Sequence, residues 1–265
     1  MRSLAVFAGC LLLTGCATLP DGSRWGANAT ITPGWQRVGD AALDAARNPW
    51  VWGPLAGAAV LQIDSWDEDV SEWARDSTPV FGSENNAEDW SNGLEAASMA
   101  VYAASVLATP SGEVDGDWFV AKAKGTAVGL GAFAMTSGVT SGLKSVVSRE
   151  RPDGSGNDSF PSGHASTAAV FDTLAVRNLA DIDMSPALRT TLDVGTGAIT
   201  AGAAWARVEA GKHYPSDVLV GVAIGNYMAA FFTEAFMGLG PDSKLAFSAE
   251  PAPGGAMLRM DVRFQ

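Results

Sequence analysis

The chain has 265 residues, 47% of them hydrophobic, which is enough to bury one sizeable core. Its 29 acidic and 17 basic residues give a formal net charge of −12, and this excess of negative charge argues against nucleic acid as a partner. No internal repeat or break in composition demands a second domain.

The first 16 residues, MRSLAVFAGCLLLTGC, have the layout of a secretory signal. They carry one positive charge and an apolar stretch shorter than the roughly 20 residues that a bilayer-spanning helix needs. The ending LTGC resembles the lipobox of bacterial lipoproteins, which implies a signal peptide over 1–15 and lipidation of Cys16. The alternative is a cysteine that serves as one more small hydrophobic residue of the leader. Alanine at position 17 favours, by the same resemblance, the periplasmic face of the outer membrane.

Turn-forming and polar residues dominate positions 17–34 and predict a tether between the lipid and a folded domain over 35–265. Beyond the tether the sequence predicts an all-α, compact helical bundle. Residues 125–143 contain no charge, but they are rich in glycine, serine and threonine, which favours a globular, lipid-tethered bundle over one embedded in the bilayer. The predicted helices lie near 35–47, 52–63, 66–76, 88–108, 116–149, 163–180, 187–206 and 216–238.

Alternating apolar and polar residues near the C-terminus depart from the helical pattern. They flank the sequence PAPGG and predict a small β-hairpin at about 244–264. An isolated hairpin is marginal in water, so we expect its apolar side to lie on the helices.

Two basic residues occur in KSVVSRERP, residues 144–152, at a spacing that suits one anion. Lys144 and Arg151 are two helical turns apart, about 10 Å along one face. Lysine supplies a point charge and arginine a planar fork for two phosphate oxygens. Taken alone, the stretch would equally be a solvated basic helix end.

The sequence PSGH, residues 161–164, precedes an apolar run and predicts a helix start. Free backbone N–H groups and the positive end of the helix dipole create an anion site there. Gly163 allows a close approach of the anion to the backbone, and Ser162 offers a hydroxyl group.

The chain has only two histidines, His164 in PSGH and His213 in ARVEAGKHYPSD, residues 206–217. Each stands beside a proline-containing helix start. Taken singly, each is as easily a packed or solvated side chain as a catalytic one.

Together the three stretches resemble the signature of the type 2 phosphatidic acid phosphatase superfamily, which includes bacterial acid phosphatases and vanadium haloperoxidases. The spacing is Lys, six residues, Arg-Pro; then Pro-Ser-Gly-His; then Arg, five residues, His, three residues, Asp. One departure is Ala206, where the third part usually begins with serine. The resemblance implies a metal-independent phosphatase of phosphate monoesters or diphosphates, of a membrane lipid by preference, acting through a phosphohistidine. It implies that His213 is the nucleophile, His164 the proton donor and Asp217 the group that orients His213, with phosphate bound by Lys144, Arg151, Ser162, Gly163 and Arg207.

Two other functions remain as alternatives, a vanadium-dependent haloperoxidase and a non-catalytic envelope lipoprotein. Chain length disfavours the first, and the intact charged and histidine positions disfavour the second. Two histidines and no available thiol pair make a poor ligand set, so no metal or other cofactor is expected. The short stretch 153–160 predicts an uncapped site that could also accept soluble esters.

Overall fold

A computed structural model describes residues 17–240, 245–252 and 255–262. Within these residues eight α-helices form the body, and a short π-helical turn, Thr233–Met237, extends the last of them. The helices are α1 (Trp35–Ala46), α2 (Pro49–Leu61), α3 (Trp66–Ser77), α4 (Glu84–Ala108), α5 (Gly116–Val147), α6 (Gly163–Ala180), α7 (Pro186–Glu209) and α8 (Pro215–Phe232).

Several helices begin at a side chain that caps their free N–H groups. Ser83 accepts from the backbone at the start of α4, Asp115 at the start of α5, Ser162 at the start of α6 and Ser185 at the start of α7. Such caps are worth about 1 kcal/mol each, and they fix where each helix begins. The cap of α6 falls within the PSGH motif.

Helix α6 is the centre of the bundle and packs against α4, α5, α7 and α8. Its contact with α8 is close because two glycines of α8 face it. A Cβ atom on Gly221 would lie 2.6 Å from the carbonyl oxygen of Ser162, and one on Gly225 would lie 2.5 Å from that of Ser166. Only glycine permits this approach, which brings the first turns of the two helices side by side.

The segment 17–34, for which the sequence predicts a tether, is attached to the helical body through Trp25. This side chain is 1% exposed and belongs to the main core cluster. A Cβ atom on Gly125 of α5 would lie 2.4 Å from the Trp25 ring, so glycine makes room for the indole. Arg24 adds a forked ion pair to Asp115, with both N–O distances 2.8 Å. The predicted lipidation site, Cys16, and the leader lie outside the described residues.

In the described part of the chain, one helical stretch, Pro215–Met237, is long and apolar enough to cross a membrane by length and composition. Just over half of it, 56%, is buried inside the protein. Such burial is also expected of a core helix, and α8 packs against α6, α2 and α5.

The predicted fold class needs a correction at the C-terminus, because the helical body is the fold and the hairpin is no part of it. Strands β1 (Leu245–Ala252) and β2 (Gly255–Val262) pair antiparallel in a two-stranded sheet, with Leu245 opposite Val262. All described core clusters are built from residues before 240. The described core therefore lies in the part of the chain before residue 240, and the fold class is all-α.

Candidate active site

The three predicted motifs meet at one end of the bundle. The end of α5, the start of α6 and the turn between α7 and α8 are joined there by backbone hydrogen bonds. Ser162 N donates to the carbonyl of Asp217 at 3.0 Å, and Asp153 N donates to that of Gly211 at 3.0 Å. The close packing of α6 on α8 therefore places PSGH beside His213.

His213 is 2% exposed, and its ring orientation is defined by one strong hydrogen bond. The ring Nδ1 lies 2.5 Å from the backbone carbonyl of Ser159. A carbonyl oxygen only accepts, so Nδ1 carries the proton and Nε2 keeps a free lone pair. Burial, with the positive charges of Arg207 and Lys144, holds the pKa of His213 well below its usual value, which keeps the ring neutral.

Asp217 is fully buried and is connected to His213 through Ser159. Its carboxylate accepts from Ser159 Oγ at 2.5 Å, from Tyr214 N at 2.9 Å and from Arg149 at 2.7 Å. Burial raises the pKa of Asp217 despite these donors. The family resemblance implies that Asp217 orients His213, and in the structure the Ser159 carbonyl, not this carboxylate, lies at Nδ1. Asp217 is therefore placed to orient the ring by fixing Ser159.

Arg149 and Asp67 support this arrangement, and the sequence analysis did not identify either. The Arg149 guanidinium lies 3.8 Å from the ring centroid of Tyr214 and donates to Asp67 at 2.9 Å. Asp67, on α3, also accepts from Ser216 N at 2.8 Å. The two carboxylates to which Arg149 donates are almost completely buried, so this arginine compensates two buried charges.

Three cations surround the two histidines. Arg207 is 4% exposed on the last turn of α7 and donates to Ser91 Oγ at 3.2 Å. Lys144 stands on the last turn of α5, and Arg151 follows in the loop. Burial and the charges of all three cations lower the pKa values of both histidines.

Lys144 and Arg151 also share an internal partner, Asp158. Arg151 contacts its carboxylate through Nη2 and Nε, each at 2.8 Å. Lys144 Nζ donates to the Asp158 backbone carbonyl and lies 3.9 Å from its carboxylate. The two basic side chains therefore contact one acidic residue, but the predicted helical spacing is not the cause, because α5 ends at Val147 and Arg151 lies in the loop.

His164 lies on the first turn of α6, with its side chain 28% exposed. Its Nε2 is 2.8 Å from Asn92 Oδ1 and 3.2 Å from Glu95 Oε2, both on α4. Burial, followed by the charges of Arg207, Lys144 and Arg151, lowers the pKa of His164 to about 4. Asn92 and Glu95 are further partners that sequence reasoning missed, because nothing in the local pattern of α4 links them to a histidine 72 residues away.

Ser162 and Gly163 supply the helix start that the motif predicts. Ser162 Oγ accepts from Ala165 N at 3.4 Å, which leaves its own O–H as a donor. The N–H groups of Gly163 and His164 belong to the first turn and have no intrahelical acceptor. Helix α6 therefore begins with an anion-binding end among the three cations.

The arrangement offers a neutral, oriented imidazole, a second histidine, three cations and a helix N-terminus. Such a set can bind a tetrahedral oxyanion and stabilise added negative charge on its oxygens. Within residues 17–240 and the two strands, no three His, Cys, Asp or Glu side chains are grouped so as to hold a metal ion.

Comparison with known proteins agrees with the family that the motifs resemble. Residues 126–239 match the model of the PAP2 superfamily and include all three motifs. No curated protein matches the sequence of the chain.

A solved structure with a similar fold is described as the first transmembrane PAP2-type phosphatidylglycerolphosphate phosphatase from Bacillus subtilis, with a TM-score of 0.51 and 20% sequence identity. The match covers 69% of this chain and 92% of that one. The family match ends before β1, which agrees with a shared fold that is all-helical. Residues 126–239 of this chain therefore match the PAP2 superfamily, and the chain has the fold of a PAP2-type phosphatase.

Proposed function

We propose that the protein is a metal-independent phosphatase that hydrolyses phosphate monoesters or diphosphates of a membrane lipid through a phosphohistidine at His213. The observation that carries the proposal is the state of that residue. It is buried, neutral and oriented through Nδ1, with Nε2 left to attack beside three cations. Covalent catalysis by histidine requires such an imidazole.

In the first step Nε2 of His213 attacks phosphorus in line with the bond to the leaving oxygen. The P–N bond forms as the P–O bond breaks, and the leaving oxygen takes a proton from His164. Lys144, Arg151 and Arg207 stabilise the charge on the remaining phosphoryl oxygens, assisted by the N–H groups at the start of α6.

In the second step water attacks the phosphohistidine. His164, now unprotonated, accepts the proton of that water, and inorganic phosphate leaves as the P–N bond breaks. Asp217 and Ser159 hold the His213 ring in position throughout, through the hydrogen bonds described above.

Binding of substrate also prepares His164 to act as an acid. The pKa of His164 is low because of burial and the same three cations that bind the phosphate. A phosphate dianion neutralises these cations, so its arrival raises the pKa of His164 and favours protonation. The nearby carboxylate of Glu95 stabilises the imidazolium.

A lipid as substrate is supported by an apolar cleft next to the site. The cleft has a volume of about 570 Å³ and is bounded at one side by Arg149 and Ser216. Its apolar walls come from Leu55, Ala58 and Ala59 of α2, and from Val147, Phe160 and Val220. A hydrocarbon chain fits such a surface by its chemistry, and the structural neighbour is described as acting on phosphatidylglycerolphosphate. Lipidation at Cys16, with an anchor at the periplasmic face of the outer membrane, would keep the enzyme near such substrates.

The decisive experiment separates the two histidines. Rapid-quench reactions with labelled lipid phosphate, stopped in base, should trap label on the wild type and on His164→Ala, but none on His213→Ala. His164→Ala should slow hydrolysis of an alkyl phosphate on the order of a hundredfold and that of p-nitrophenyl phosphate less, because p-nitrophenolate leaves without a proton. Label trapped on His213→Ala would refute the proposed nucleophile.

A further inference from the structure

The loop between the first two motifs contributes an acidic side chain to the cationic site. Asp158 pairs with Arg151 through both carboxylate oxygens and reaches the Lys144 ammonium group through its backbone carbonyl. Its side chain is 50% exposed, so water can replace these contacts. Partial burial raises the pKa of Asp158, but the hydrogen bond and the charge of Arg151 lower it further, so the net pKa is below the usual value. The side chain is therefore ionised at neutral pH.

We propose that Asp158 is an internal competitor of phosphate, which weakens the hold of the site on inorganic phosphate and so promotes product release. The inference rests on the proposed function. The Nε–Nη2 edge of a guanidinium pairs with one anion at a time, and Asp158 uses this edge of Arg151. Its negative charge also lies within 4 Å of Lys144 and reduces the attraction of that cation for a second anion.

The position of Asp158 suits exchange with product. Hydrolysis of a phosphohistidine leaves an inorganic phosphate among three cations, where strong binding would slow turnover. A half-exposed carboxylate on the adjoining loop can retake Arg151 as the phosphate departs, so the arginine is never left without an anionic partner. The binding of phosphate therefore weakens the pairing of Asp158 with Arg151, and this pairing weakens the binding of phosphate.

Asp153 provides a matched control on the same loop. Its carboxylate accepts from Lys212 at 2.8 Å, and Lys212 is not one of the proposed phosphate-binding cations. Asp153→Asn therefore removes the same charge from the same loop without removing a partner of Arg151 or Lys144, and the charge of Asp153 acts on Arg207 only without a direct contact. Asp158→Asn keeps the shape and an oxygen acceptor for Arg151 but removes the charge.

The test measures the competitive inhibition constant of inorganic phosphate, with KM and kcat for one phosphate ester. Asp158→Asn should lower the inhibition constant on the order of tenfold, and lower KM with it, without raising kcat. Asp153→Asn should change the inhibition constant by less than about threefold, and Asp158→Glu, which keeps the charge, should remain nearer to the wild type.

An inhibition constant for Asp158→Asn that is unchanged or higher would overturn the inference, provided that the wild type hydrolyses the ester and is inhibited by phosphate. A wild type that does neither would instead overturn the proposed function, and this inference with it. Thermal unfolding checks each variant. If Asp158→Asn unfolds more readily than Asp153→Asn, Asp158→Ser provides the same measurement, because it also removes the charge.

Discussion

Replacing Arg149 by methionine should reveal how much the buried charges beneath the site depend on this one cation. Arg149 donates to two buried carboxylates, Asp67 at 2.9 Å and Asp217 at 2.7 Å, whose side chains are 2% and 0% exposed. Breaking a buried ion pair by removing one partner costs about 3–5 kcal/mol. Each carboxylate keeps at least two other donors, so we expect the lower end, a loss of about 3 kcal/mol in the free energy of unfolding at pH 7.

The pH dependence of this loss identifies its electrostatic origin. Burial already raises the pKa of Asp217, and removal of Arg149 raises it further above the value in the unfolded chain. Between these two values the folded variant binds more protons than the unfolded one, so its stability increases as the pH falls. Urea unfolding of wild type and Arg149→Met should therefore show a difference that is largest at pH 7 and smaller at pH 5.

Arg24→Met is the matched control, because Arg24 makes an equally short ion pair with Asp115 at the surface. It should cost less than Arg149→Met, and the cost should not change between pH 7 and pH 5. Adding Asp67→Asn to Arg149→Met should restore part of the lost stability, since it removes one orphaned charge. A loss below about 1 kcal/mol, or one that is equal at both pH values, would refute the electrostatic account.

Three further predictions concern packing, location and inhibition. Gly221→Ala should destabilise the protein by about 1–3 kcal/mol and reduce kcat, because the new Cβ meets the Ser162 carbonyl at 2.6 Å. Gly39→Ala is the control and should not destabilise the protein, because the space around Gly39 is open. Equal unfolding midpoints for the two variants would contradict the packing of α6 on α8. Cys16→Ala should release the protein from the membrane fraction, and a variant that still resists extraction by salt and carbonate would show that the helices themselves insert. Vanadate should inhibit competitively because it adopts the geometry of in-line transfer, and a chelator should have no effect; activity lost on chelation and restored by a divalent metal would contradict the metal-free mechanism.

The helices could be predicted from the sequence because they depend on local patterns. The helix predicted over 163–180 is Gly163–Ala180 in the structure, since PSGH carries its own start signal and Ser162 caps it. Such a helix start is a short-range relation, and the periodicity of the chain is sufficient to predict it. The contact of Lys144 and Arg151 with one residue has another cause than the predicted helical spacing, because α5 ends at Val147 and Arg151 lies in the loop that also carries Asp158.

The residues that the sequence analysis missed hold the site through long-range contacts. Arg149 donates to Asp67, which is 82 residues away in the sequence, and Ser159 donates to Asp217, which is 58 residues away. Acidic and hydroxyl side chains are common at the surface, so neither their type nor their local spacing distinguishes these from solvated ones. The attachment of Trp25 was missed for the same reason, because the turn-forming residues around it predict a loop and give no sign of the Gly125 surface that receives it.

Two serines, Ser159 and Ser162, have different structural roles at the site. Ser162 is the cap of α6, and its position is fixed by the N–H bond to the Asp217 carbonyl. Ser159 connects the carboxylate of Asp217, through its hydroxyl, to the imidazole of His213, through its carbonyl. Because a carbonyl is neutral, it fixes the tautomer of His213 without placing a full negative charge on the ring. The proposed nucleophile thus stays neutral under the influence of three cations, and the charge of Asp217 is compensated by Arg149.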